Sequence, residues 1–198
     1  MIAFLDFEAS SLSDDSYPIE VGWVFEDDRE ESWLIRPAED WTDWAVAAEA
    51  VHHISRAQLL AEGAPHDLVA RRVLEALGQH QVYASAPSWD GKWLSLLLRS
   101  AGLPRHALRL HDTDDAQMEA AVQALTGAVP DEGLAGQARQ VIAAAQEAAG
   151  ALPVRHRALD DARRELAIWR DVGMRARMVA GGGADERTRT STPLGART

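Results

Sequence analysis

Met1-Ile2-Ala3-Phe4-Leu5-Asp6-Phe7-Glu8 opens the chain. An apolar run ends there in two carboxylates two positions apart. Along a strand, residues i and i+2 point to the same face. Asp6 and Glu8 therefore project side by side from the end of a strand that is apolar on both faces. Two negative charges at the rim of a core are costly unless a positive species sits between them. Carboxylate oxygens in that arrangement suit a hard divalent cation.

Beyond this strand, Ser10 to Pro18 is polar and turn-rich, and Ile19 to Phe25 is a second apolar run. Asp27 to Glu30 is a charged turn, and Ser32 to Arg36 is a third strand ended by Pro37. These short spacings predict an antiparallel three-stranded meander. Helical spacing predicts helices over 44–51, with Thr42 or Asp43 as N-cap, and from Ser55 onward. Further helices are expected over 67–77, 92–100, 114–125, 134–149 and 159–172. Two more strands are expected at 81–85 and 107–110. The predicted class is α/β, a mixed five-stranded sheet flanked by helices. Residues 1–175 are expected to form the domain. Residues 176–198 are Gly-, Thr- and Arg-rich from Ala180 on, and are expected to form a flexible C-terminal tail.

With 198 residues and 46% hydrophobic content, a packed core is expected rather than a disordered chain. There are no cysteines, which excludes disulfides and thiolate metal sites. No basic stretch precedes the first apolar run, and Asp6 interrupts it, so it does not read as a secretory signal. No apolar run is long enough to span a bilayer. A soluble, cytoplasmic protein with no membrane partner is expected. The net charge of −11 disfavours a broad nucleic-acid footprint. It leaves room for a grip on a few nucleotides, with metal ions neutralising the phosphates.

Two later acidic positions extend the Asp6–Glu8 pair. Asp90 lies in Pro87-Ser88-Trp89-Asp90-Gly91, after a short strand and at the start of a helix. Alone, such an Asp is more often a helix cap than a ligand. His156 and Asp161 lie in His156-Arg157-Ala158-Leu159-Asp160-Asp161, where a loop enters the last helix. Asp160 is expected to be solvated, pairing with Arg164 one turn on.

Together these motifs resemble the DEDDh branch of the 3′–5′ exonucleases, the DnaQ-like family with a ribonuclease H-like fold. Asp6-Phe7-Glu8 matches its first motif, Trp89-Asp90 its second, and His156 with Asp161 its third. Val51-His52-His53-Ile54-Ser55 is similar to a fourth marker, with His53 where the family has glycine. Four short motifs in order are far more specific than any one of them. The chain departs from the pattern at Ala9, where the family often has Thr, and at Ser85-Ala86, where it often has His-Asn.

The resemblance implies two divalent ions, Mg²⁺ or Mn²⁺. Asp6 would bridge both, Glu8 and Asp161 would complete one site, and Asp90 would support the other. Such a pair clamps the attacking and leaving oxygens of a phosphodiester about 3.5–4 Å apart. His156 would be the general base, since imidazole titrates near neutrality. Clustered carboxylates raise one another's pKa, so activity is expected to need metal and neutral-to-alkaline pH. The resemblance places Ser10 and Leu12 along the terminal sugar and base, Val51 and His52 on the opposite wall, and Trp89 as an apolar surface for the base. The implied substrates are short single-stranded DNA or RNA 3′ ends. A homodimer or a protein partner is compatible with this reading, and a non-catalytic or partner-dependent interaction subunit that keeps the fold is the competing one. Four mutually repelling carboxylates retained beside a histidine weigh against an idle site.

Overall fold

β1 (Ile2–Ala9) pairs antiparallel with β2 (Pro18–Phe25) on one side and parallel with β5 (Gln81–Ala84) on the other. Its apolar residues therefore meet packing on both faces, as strands covered by helices do. β2 is buried along its whole length. β3 (Glu30–Arg36) completes the antiparallel meander. The computed structural model describes residues 1–151 and 155–190, and side chains up to Gly182.

Among the described residues the sheet has six strands, in the order β4-β3-β2-β1-β5-β6. The sixth strand absent from the expectation is β4 (Ala64–Pro65), which pairs parallel with the end of β3. Two residues are too few to carry a period. β6 (Leu110–Asp112) pairs parallel with β5 and lies further along than residues 107–110. Leu108 misleads the sequence reading, because it is buried in the core from a loop.

The helices are α1 (Val46–His52), α2 (Arg56–Glu62), α3 (His66–Leu77), α4 (Pro87–Ser100), α5 (Thr113–Leu125), α6 (Asp131–Gly150) and α7 (Ala158–Thr190). α4 begins at Pro87 rather than Lys92; proline suits a first helical turn, where its missing N–H has no partner to lose. α2 is capped by Ser55, whose side chain accepts from the Gln58 N–H.

Neither Thr42 nor Asp43 caps α1, which starts after Ala45 without a side-chain cap. Asp43 instead accepts hydrogen bonds from the hydroxyls of Ser10, Ser11 and Ser13. The Ala45 N–H donates to the Ser10 carbonyl at 3.0 Å. The loop after β1 is thus tied to the start of α1. At its other end α1 closes on His53, with φ 58° and its N–H on the Glu49 carbonyl. This left-handed C-cap favours glycine. We expect His53→Gly to relieve about 1 kcal/mol and raise Tm by roughly 2–4 °C, as read by a thermal melt.

Packing divides the chain into two compact units, Met1–Thr113 with Pro153–Leu166, and Asp114–Leu152 with Ala167–Thr198. The first contains the whole sheet. Its core joins Leu5, Val21 and Trp23 to Val73 of α3 and Leu94 and Leu97 of α4. The second gathers Leu125, Val141 and Ile142 with Ile168 and Val172 of α7. The boundary expected at residue 175 falls within α7, which continues to Thr190 instead of ending at Val172. Buried Ala176 and an Asp171–Arg175 pair at 2.8 Å carry the helix past that point. Residues 191–198 of the expected tail lie outside the described residues. No described helix is long and apolar enough to cross a membrane.

Candidate active site

The end of β1 and the first turn of α7 meet in the first unit. Asp6 and Glu8 share a face of β1, opposite Gly22 and Glu20 of β2, and a bulge follows between Glu8 and Ala9. Asp161 comes from α7. One carboxylate oxygen from each of Asp6, Glu8 and Asp161 lies within 4.8 Å of the others. An all-oxygen, all-anionic donor set of this kind fits a hard divalent cation.

Asp90 sits in the first turn of α4 and is 1% exposed. Its carboxylate accepts the Ala86 N–H at 3.3 Å and bonds the Phe7 backbone as well. It stands outside the close trio, but its charge bears on Asp6 more than that of any other residue. Glu165, one turn beyond Asp161 on α7, also acts on Asp6.

Burial is the first cause of the raised carboxyls here, and for Asp6 and Glu8 repulsion between neighbouring carboxylates is the second. Burial pushes Asp6 well above the usual carboxylate range, and Asp90, Glu8 and Asp161 push it further. Glu8 is raised to about 8 by burial and then by Asp161. Asp90 is raised to about 7 by burial, against the pull of its backbone hydrogen bonds. Asp161 is raised by burial and partly relieved by the charge of His156. His156 is exposed in the loop before α7, with φ 50°. A left-handed backbone at a non-glycine residue is a strained setting, of the kind that accumulates at working sites.

Beside Glu8 lies a cavity of about 390 Å³, lined among others by Leu12, Ala48, Val51, His52 and Trp93. Leu12 is 74% exposed and so is free to meet a ligand. His52 is buried, and its Nδ1 accepts the Ile54 N–H at 3.0 Å. Burial also holds this imidazole below the usual histidine range. The ring is therefore neutral, with its hydrogen on Nε2.

Two of the residues expected at the substrate are not part of this lining. Ser10 is fully buried, its hydroxyl donating to Asp43 and accepting the Tyr17 N–H. Trp89 packs against Trp93 at 5.6 Å, with Lys92 Nζ 5.0 Å from its ring centroid. Trp93, one turn further along α4, reaches the cavity instead, and its Nε1 donates to Ser16 Oγ at 3.0 Å. Asp160 pairs with Arg163 at 3.1 Å and Arg155 at 3.8 Å, not with Arg164.

No protein-family profile and no curated protein sequence matches the chain. Solved structures do. Exonuclease I from Methylocaldum szegediense superposes over 95% of this chain with a TM-score of 0.65 at 18% identity, covering 45% of its own length. Apo exonuclease I gives 0.63 at 15% identity, over 91% of this chain and 43% of its own. The E. coli exonuclease I complex with a dT13 oligonucleotide gives 0.63 at 16% identity, over 91% and 42%. The chain thus spans less than half the length of these neighbours. The shared architecture is a mixed sheet opened by a meander and covered by helices, the ribonuclease H-like fold.

Proposed function

We propose that this ribonuclease H-like chain is a metal-dependent 3′–5′ exonuclease that removes nucleotides from single-stranded DNA or RNA 3′ ends. The observation that carries the reading is the convergence of Asp6, Glu8 and Asp161 beside a nucleotide-sized cavity, with Asp90 buried behind them. The fold adds support, since its structural neighbours include exonuclease I bound to dA16 and dT13 oligonucleotides.

Asp6, Glu8, Asp161 and Asp90 would hold two Mg²⁺ or Mn²⁺ ions, which supply charge stabilisation to the attacking and leaving oxygens of the phosphodiester. The rest falls to the chain's own groups. His156 takes the proton from the attacking water, from a loop open to solvent. Leu12 and Val51 present apolar surface to the terminal base and sugar. Neutral His52 closes the wall without adding charge. The cavity has room for about one nucleotide, and the acidic surface disfavours a long phosphate track.

Pure protein incubated with 5′-labelled ssDNA, ssRNA and dinucleotides tests the proposal. With Mg²⁺ or Mn²⁺ the label is expected in a ladder shortening from the 3′ end, and EDTA is expected to stop it. No shortening of any substrate with either metal would refute the proposal.

A pH dependence follows from the raised carboxyls. With Glu8 near 8 and Asp90 near 7 without metal, an incoming cation must displace protons at neutral pH. The half-saturating Mn²⁺ concentration is expected to fall about tenfold or more between pH 6.5 and 8.5. A titration that gives the same midpoint at both pH values contradicts the proton-linked site.

A further inference from the structure

Asp161 reaches the β1 carboxylates only if α7 begins at one place on the sheet, and β2 supplies two residues that define that place. Glu20 and Gly22 lie two apart, on one face of β2. Their register partners are Glu8 and Asp6, so hook, seat and metal-facing carboxylates share one side of the sheet.

The hook is the Glu20 carboxylate, which is 1% exposed. Arg157 grips it with Nε at 3.0 and 3.2 Å and with Nη2 at 2.6 Å. The Ala158 N–H donates to its Oε2 at 3.0 Å, and Ser32 Oγ approaches Oε1 at 3.4 Å. Ala158 is the first residue of α7, whose leading amides have no acceptor within the helix. A carboxylate from a distant strand satisfies one of them and sets negative charge at the positive end of the helix. Arg157 is held by its main chain too, since its carbonyl accepts the Asp161 N–H at 3.0 Å. The seat is Gly22. A Cβ there would lie 2.6 Å from Leu159 Cα and 2.7 Å from the Ala158 carbonyl carbon, so only glycine lets the helix rest on the strand.

From this geometry we infer that Glu20 and Arg157 form a positioning clasp that seats the first turn of α7 on Gly22 and so delivers Asp161, and His156 just before it, to Asp6 and Glu8. The inference rests on the metal-site reading above. Neither clasp residue is placed as a metal ligand or as the base. Arg157 is about half exposed, so Glu20→Ala frees it into solvent instead of stranding a buried charge, and folding is expected to survive.

Three readouts on the full chain test the clasp. In Glu20→Ala, hydrogen exchange of amides 158–162 is expected to quicken at least about tenfold. Mn²⁺ affinity is expected to weaken about 10–100-fold, with kcat falling and KM for a short oligonucleotide nearly unchanged. Glu20→Gln keeps a carbonyl for the Ala158 N–H and is expected to recover part of each loss. Exchange and Mn²⁺ affinity both at wild-type values in a folded Glu20→Ala protein would overturn the inference. If the wild-type chain itself takes up no Mn²⁺, the exonuclease reading fails, and the exchange rates alone decide whether the clasp seats α7.

Discussion

Asp6→Asn is expected to abolish hydrolysis while raising the melting temperature in EDTA at alkaline pH. Asp6 is held far above the usual carboxylate range by burial and by three neighbouring carboxylates and Glu165. A carboxyl whose folded pKa is raised destabilises the fold once pH exceeds its unfolded value, and the loss grows until pH passes the folded value. Removing that charge therefore has little effect near pH 4, and the gain grows as pH rises above the unfolded value. The expected gain in Tm at pH 9 is roughly 2–6 °C, read by calorimetry at both pH values. Turnover moves the other way. The charge stabilisation that a bound metal would supply is worth several kcal/mol, so losing a proposed ligand should lower kcat by about 10³-fold or more. A folded Asp6→Asn protein that hydrolyses oligonucleotides near the wild-type rate would sink the metal-site reading.

His156→Ala separates proton transfer from metal binding. The four carboxylates remain, so Mn²⁺ titration is expected to stay within about threefold of wild type. Turnover is expected to fall on the order of 10²–10⁴-fold, the usual contribution of a positioned general base. The alkaline arm of the pH–rate profile should change shape, because water must then lose its proton without help. Normal metal binding with an unchanged rate would remove His156 from the mechanism and leave the carboxylate site intact. The left-handed backbone at His156 sharpens the experiment. His156→Gly should fold at least as well as His156→Ala, so inactivity shared by both variants cannot be assigned to backbone strain.

Much of the molecule is legible in its sequence. The strand ending in Asp6 and Glu8, the meander after it and the approximate spans of α3, α5 and α6 follow from local patterns, because a period of two or 3.6 records which side of an element is buried. Asp6 and Glu8 lie near the end of β1, and Asp90 and Asp161 in the first turns of α4 and α7, as the local patterns indicate. The differences cluster where local pattern carries little. β4 is too short to show a period, and Leu108 is buried from a loop. Asp43 looks like a helix cap yet gathers three serine hydroxyls. Trp89 is expected as a substrate surface from its place beside Asp90, yet the docking of α4 sends Trp93, one turn on, to the cavity.

Alternation along a strand is a property of the backbone. The residues of β1 alone therefore require burial on both faces and two carboxylates on one side. The arrival of Asp161 within 4.8 Å of them has no such local origin. That meeting depends on Glu20 and Arg157, 137 positions apart, and on the absence of a Cβ at Gly22 beneath Leu159. A pattern along the chain says which residues must leave water. What they meet when they do is set by packing between elements, and no local run of residues records it.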